Sequence, residues 1–283
     1  MVIKRYLSES NVTRMEEDFK FLLGMIQGSH GEMDLALRDN YFNIYYKGNS
    51  LAKVEFQKET YRVSIHRKFV EGTSVMTKDK RFKGTISGNE YRITLPPNLL
   101  KAFFQKKYLQ EFQSRIKNTN HGEEMTLEQQ IITDNAYSRK YIILDRQVQD
   151  TDTTMKGQID LLAAKRMEDG KYKMVILEVK RGDNKELKND VAEQLKRYID
   201  HVEKNYSDYK KCYEKRYKQM ASLELYKNSV FHEETIEFAD YQKNCVEGMV
   251  VVVGYSQTGI NQVNELKKNH PDLDIVVLDY RLP

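Results

Sequence analysis

The chain of 283 residues has no tryptophan, two cysteines, four prolines and no apolar run of bilayer-spanning length. Each scarcity removes a class of protein. Cys212 and Cys245 are far apart, with no Cys-x-x-Cys and no nearby histidine pair, so neither a disulfide framework nor a zinc site is indicated. Crossing a bilayer takes about 20 consecutive apolar residues, so no membrane partner is expected. Met1-Val2-Ile3-Lys4-Arg5-Tyr6 lacks the apolar centre of a secretory signal, which makes a reducing cytoplasm the expected compartment. Internal repeats and low-complexity tracts are missing too. With 40% hydrophobic and 31% charged residues, the composition is that of a globular chain.

Charge is unevenly spread. Residues 1–120 carry 21 Lys+Arg against 13 Asp+Glu, and residues 121–283 carry 25 against 29. A basic half joined to an acidic one suits a division of labour, in which one part grips phosphates and the other gathers carboxylates for a metal. An ordinary solvated surface explains the same tally equally well.

Hydrophobic periodicity predicts a helix over 13–28, then strands over about 31–37, 40–47, 50–57 and 60–66, with 89–95 extending an antiparallel meander. The basic loop 77–83 reads as a mobile surface loop, with phosphate contact as the alternative. Pro96-Pro97 ends the meander, and a helix from about Asn98 to 117 leads to the loop Asn118-Thr119-Asn120-His121-Gly122. A boundary there gives domains 1–120 and 121–283. The second half reads helix 126–137, strands 139–148, 156–166 and 172–181, helix 188–204, strand 247–255, helix 258–269 and strand 274–280. Thr126 and Gln129 make a capping-box pattern for its first helix. Residues 205–243 are a helical insertion in which Tyr206, Tyr209, Tyr213 and Tyr217 recur among lysines. This stripe reads as a buried helix face, with base stacking as the alternative.

Chemistry concentrates on two apolar segments, Gly157-Gln158-Ile159-Asp160-Leu161-Leu162 and Val175-Ile176-Leu177-Glu178-Val179-Lys180-Arg181. Glu168-Asp169-Gly170 between them is suited to a three-residue hairpin loop, which would set Asp160 opposite Glu178. Like charges opposed across a strand pair destabilise it unless something positive lies between them. Lys180 supplies one positive charge and a divalent metal would supply the rest. That combination suits hydrolysis of a phosphodiester. Downstream, Gln194 and Tyr198 share one face of the helix that Val191, Leu195 and Val202 bury. Taken alone, Gln194 reads as a solvated polar residue and Tyr198 as a core aromatic.

The order Gly-x-Ile-Asp, Glu-x-Lys and then Gln-x-x-x-Tyr resembles the PD-(D/E)xK nuclease superfamily, and the last motif resembles its RecB-type branch. Leu177–Gly182 with Glu193–Tyr198 is also similar to branched-DNA and mismatch endonucleases of archaea and actinobacteria. The resemblance covers about 126–280. Ile159 stands where the family's proline would be. What it implies is an α/β (α+β) fold with a restriction-endonuclease-like α-β-β-β-α-β core and a mixed sheet, preceded by the N-terminal α+β domain. It further implies a Mg²⁺-dependent DNA endonuclease, with Mn²⁺ as substitute, working in repair, restriction or phage defence. Asp160, Glu178 and the main-chain carbonyl of Val179 would hold the metal. Lys180, Gln194 and Tyr198 would complete the catalytic set. Glu128, with Glu124 as fallback, is the candidate for the acid the family carries on its first helix, although helix-dipole stabilisation alone would favour an acid there. DNA is the expected partner, with a homodimer left open. The rival readings are a nuclease-fold module that binds nucleic acid without cutting it, and a protein-interaction scaffold.

Overall fold

The computed structural model describes residues 2–119, 123–136, 138, 140–150, 155–188, 190–226, 233–242, 244–254 and 257–278. The chain divides into two compact units that are not sequential. The first comprises Arg5–Gln129 together with the described residues of 218–228. The second comprises residues 2–4, 130–217 and the described residues beyond 228. Among the described residues, no helix is long and apolar enough to cross a membrane.

The first unit opens with helices α1 (Glu9–Asp18) and α2 (Lys20–Gln27). The single helix expected over 13–28 is broken because Phe19 leaves helical geometry, at φ −116° and ψ 11°. Its ring packs edge-on against Phe42 and Tyr61, at 5.0 and 4.9 Å between centroids. A sheet follows, built from β1 (Met33–Leu37), β2 (Tyr41–Tyr46), β3 (Asn49–Phe56) and β4 (Tyr61–His66). After the short helices α3 (Arg67–Val70) and α4 (Ser74–Thr77), β5 (Thr85–Ser87) and β6 (Glu90–Leu95) complete it in the order β1-β2-β3-β4-β6-β5. The antiparallel meander is as expected, and β5 is an addition. The long helix expected after Pro96 is two helices, α5 (Pro97–Phe103) and α6 (Lys106–Asn118). Gln105 turns extended between them, and Phe103, Phe104, Tyr108 and Phe112 are all buried. Proline at the first position of α5 costs no hydrogen bond, because that N–H has no intrahelical partner.

The loop 77–83 is docked rather than mobile. Phe82 is 1% exposed and packs edge-on against Phe103 and Tyr108. Asp79 accepts from the Tyr108 hydroxyl at 2.8 Å and pairs with Arg81 at 2.7 Å.

Helix α7 (Glu123–Asn135) starts three residues before Thr126, so the expected capping box lies inside it. The second unit then has β7 (Tyr141–Val148), β8 (Ile159–Arg166), β9 (Tyr172–Arg181), a 3-10 turn at Lys185–Lys188, α8 (Asp190–Lys204), α9 (Tyr206–Ser222), β10 (Val246–Val253), α10 (Gln257–Asn269) and β11 (Asp274–Leu278). The sheet order is β11-β10-β9-β8-β7. β7, β8 and β9 run antiparallel, while β9, β10 and β11 run parallel. This is the mixed sheet and α-β-β-β-α-β order expected of a nuclease-like core, with α9 inserted before β10. The expected ends at 137, 139, 255 and 280, and the loop residues 120–122, lie outside the described residues.

The tyrosine stripe of α9 is core. Tyr206, Tyr209, Tyr213 and Tyr217 are buried, and each hydroxyl has a partner. Tyr209 donates to Asp150 at 3.0 Å, Tyr213 to Asp145 at 3.2 Å, Tyr206 to the Ala239 carbonyl at 2.8 Å and Tyr217 to the Glu233 carbonyl at 3.2 Å. Buried hydroxyls need such partners, and the stripe is therefore not free to stack on bases. Beyond residue 217 the same helix serves the other unit, whose core takes up Met220 and Leu223.

Candidate active site

The hairpin loop sets the register that builds the site. Gly170 sits at φ +83°, Gly170 N–H bonds the Met167 carbonyl at 3.1 Å, and Met167 N–H bonds the Lys171 carbonyl at 2.9 Å. From that three-residue loop, Arg166 pairs with Tyr172 and the ladder runs to Leu161 opposite Leu177. Asp160 and Glu178 are the next residues on each strand, and by the period-two alternation they share a face. The ladder ends there because Asp160 Oδ2 accepts the Val179 N–H at 2.8 Å, the side chain replacing a main-chain bond. Parallel pairing with β10 sets Val250 beside Glu178 and Val252 beside Lys180, both fully buried valines.

Glu178 is consequently 0% exposed. Its Oε1 accepts from Gln194 Nε2 at 2.8 Å and lies 3.1 Å from Lys180 Nζ. Its Oε2 is buried and has no hydrogen-bond partner among the described residues. Burial first, and the Asp160 charge second, push the Glu178 carboxyl up to about 8. Burial alone would lower the Lys180 ammonium, but the Glu178, Glu186 and Asp160 carboxylates outweigh it and hold Lys180 above its ordinary value. Lys180 is thus a fixed cation, clamped between Glu178 and Glu186 Oε2, the latter at 2.9 Å.

Gln194 and Tyr198 are joined, as their spacing on one helix face implied. Gln194 Nε2 also donates to the Tyr198 hydroxyl at 3.2 Å, so one amide nitrogen ties the carboxylate to the phenol. That hydroxyl accepts the Gln158 N–H at 3.0 Å. Tyr198 therefore pins the entry of β8, two residues before Asp160. Burial lifts its phenol above the ordinary value, so it stays a neutral hydroxyl. The same contact dictates Gly157. At φ +108° it occupies backbone space that side chains rarely enter, and an added Cβ would lie 2.3 Å from the Tyr198 hydroxyl. Gly157→Ala should cost about 1–3 kcal/mol or more. Tyr198→Phe, which strands the Gln158 N–H, should cost about 1 kcal/mol or more. Equilibrium denaturation checks both, and an alanine variant as stable as the parent would contradict the packing.

Five of the six candidate side chains, Asp160, Glu178, Lys180, Gln194 and Tyr198, thus share one constellation, with Val179 contributing through its backbone. Glu128 is buried on α7, and Glu124 lies on the same helix. Glu186 is the participant that the motif reading missed. Nothing in its spacing marks it, because it meets Lys180 only through the turn that follows β9.

No family model matches the chain, and no curated protein matches it. Among solved structures the chain is similar to one described as the structure of EndoMS in apo form, at 11% identity. The match covers 88% of this chain and 78% of that one, with a TM-score of 0.27. So loose a superposition carries no functional argument.

Proposed function

We propose that this protein is a divalent-metal-dependent deoxyribonuclease that cuts DNA phosphodiesters internally. The observation that carries the proposal is Glu178. A fully buried carboxyl with one oxygen lacking a hydrogen-bond partner among the described residues, beside a second carboxylate, is costly to ionise unless a cation completes it, and without metal it keeps a proton up to about pH 8. Among the described residues there is no group of three or more His, Cys, Asp or Glu placed to hold a metal ion. A set of two carboxylates and a carbonyl suits Mg²⁺, which binds through few carboxylates and keeps several waters, and Mn²⁺ would substitute.

Asp160 Oδ1, Glu178 Oε2 and the Val179 carbonyl are the oxygens that would hold the ion. When bound, it polarises a phosphate oxygen and lowers the pKa of an attacking water. The chain's own groups do the rest. Gln194 fixes the Glu178 carboxyl by holding Oε1, so that Oε2 is the oxygen it would offer to a metal. Lys180 offers a fixed positive charge where negative charge develops on the phosphate, without reorganising at the moment of reaction. Tyr198 keeps the start of β8 in place.

The test is conversion of supercoiled plasmid to nicked and linear forms in Mg²⁺, in Mn²⁺ and in EDTA, by the intact chain and by Glu178→Gln. Metal-dependent cutting by the intact chain alone is expected. Equal cutting by both proteins would contradict the assignment of Glu178, and no cutting of any DNA by the intact chain would leave a binding module.

A further inference from the structure

The basic excess of the N-terminal half lies in one stretch. Residues 67–117 carry 12 Lys+Arg against 4 Asp+Glu, whereas residues 1–66 carry 9 of each. The structure shows how those four acids are used. Glu71 pairs with Arg67 at 2.8 Å, Asp79 with Arg81 at 2.7 Å, and Glu90 with Arg92 at 2.6 Å. Glu111 instead accepts the Ser74 N–H at the start of α4. The acids therefore consume arginines and a helix cap, and leave the lysines uncompensated. Lys78, Lys80, Lys83, Lys101, Lys106 and Lys107 are all exposed, and none makes an ion pair among the described residues.

These six lysines come from three segments that packing draws together. Phe82 sits against Phe103 at 5.2 Å and against Tyr108 at 6.1 Å between ring centroids, and Asp79 holds the Tyr108 hydroxyl. The loop bearing Lys78, Lys80 and Lys83 is thereby fixed beside the end of α5, which bears Lys101, and the first turn of α6, which bears Lys106 and Lys107. Two lysines in the first turn of a helix oppose its dipole, so this arrangement lowers the stability of the protein alone. Collecting six like charges on a docked rather than a floppy surface makes physical sense when a polyanion neutralises them.

We propose that this lysine surface is where the protein grips the sugar-phosphate backbone of duplex DNA, independently of sequence. The inference rests on the nuclease reading in taking DNA as the polyanion, and it adds where and how the DNA is held. Lysine ammoniums are point charges suited to phosphate, whereas base reading relies on the bidentate forks of arginine. Here Arg67, Arg81 and Arg92 are already engaged by acids. An anionic membrane is the poorer fit, because among the described residues of this unit the one exposed large apolar side chain is Ile86, and membrane docking gains much of its affinity from buried apolar area.

The experiment measures binding of a fluorescent linear duplex to full-length protein in EDTA, where cleavage does not intervene, over a series of salt concentrations. Three variants are compared with the parent: all six lysines to glutamine, the triple K78E/K80E/K83E, and the control K267Q/K268Q on α10. Each phosphate contact removed should lower the slope of log affinity against log salt by about 0.9, so the six-lysine variant should lose roughly 3–5 units of slope. Its affinity at about 0.1 M salt should fall at least ~100-fold, while the control stays within about twofold of the parent. The triple variant decides the matter if the six-lysine protein fails to fold by circular dichroism. Unchanged affinity and slope in a folded variant would overturn the proposal. So would lysine-dependent binding to phosphatidylserine vesicles without binding to DNA. If the parent never cuts DNA yet binds it through these lysines, the nuclease reading fails and this surface stands. If cutting survives and binding ignores the lysines, only the surface falls.

Discussion

Glu178→Gln and Asp160→Ala should each lower Mg²⁺-dependent cleavage by at least ~10³-fold, equivalent to about 4 kcal/mol of transition-state stabilisation. The magnitude follows from what each change removes. Glu178 supplies an oxygen that has no hydrogen-bond partner among the described residues, and Asp160 is the carboxylate next to it on the neighbouring strand. The glutamine variant keeps shape and volume, and its carbonyl can still accept from Gln194 and Lys180, so it subtracts charge with little loss of packing. Lys180→Ala should cost about 10²–10³-fold, the range typical of one preorganised charge-stabilising group. It also leaves Glu178 without its cationic partner, so its metal affinity should be read alongside its rate. Single-turnover cleavage of plasmid at saturating protein separates these losses from DNA binding, which all three variants should retain. A Glu178→Gln protein that cuts within tenfold of the parent would remove the basis for the proposed chemistry.

Much of the site was legible because it is local. The loop Glu168-Asp169-Gly170 forces φ > 0 at one position, only glycine fits there easily, and that turn alone fixes which residues of β8 and β9 face each other. The helix period then places Gln194 four residues from Tyr198. What could not be read is non-local. The raised pKa of Glu178 comes from burial beside Val250, a neighbour about seventy residues away across a parallel strand pair. Glu186 joins Lys180 through a turn with no distinctive pattern. Tyr198 works on a main-chain N–H, which carries no sequence signal at all. The fold shows the same division. Strand alternation located the meander and the core strands, whereas the breaks at Phe19 and Gln105 arise from where large rings must be buried. The tail of α9 departs furthest from sequence order, since Met220 and Leu223 leave a helix of one unit to complete the core of the other. A fragment beginning at residue 121 would carry those apolar side chains without their partners, so the roles of the two units are better separated by surface charge changes in the full chain.

Metal binding and stability should be tied to the protonation of Glu178. Its carboxyl moves from an ordinary 4.5 to about 8 in the folded protein, so the folded state holds a proton that the unfolded state has released. Relative to the protonated site, the stability contributed by this group is complete below about pH 4.5 and is lost progressively as pH rises towards 8. At about 1.4 kcal/mol per pKa unit the loss amounts to a few kcal/mol, the opposing charge of Lys180 being already contained in the value of about 8. Without metal, the second unit should melt at lower temperature at pH 8.5 than at pH 5.5, and Glu178→Gln should flatten that slope. A cation at the site acts in the opposite sense, because it competes with the proton for the same oxygen. Below about pH 8, apparent Mg²⁺ affinity should fall roughly tenfold per pH unit, with close to one proton released per ion bound. Ligand at 100 times its Kd stabilises by about 2.7 kcal/mol. The rise in Tm on adding Mg²⁺ should therefore be largest near pH 8 to 8.5, nearly vanish by pH 6, and be missing in Glu178→Gln. Thermal melts across pH with and without Mg²⁺, together with calorimetric titrations in buffers of different ionisation enthalpy, measure both quantities. A Tm rise of equal size at pH 6 and pH 8.5, or one that survives in Glu178→Gln, would show that the cation binds elsewhere.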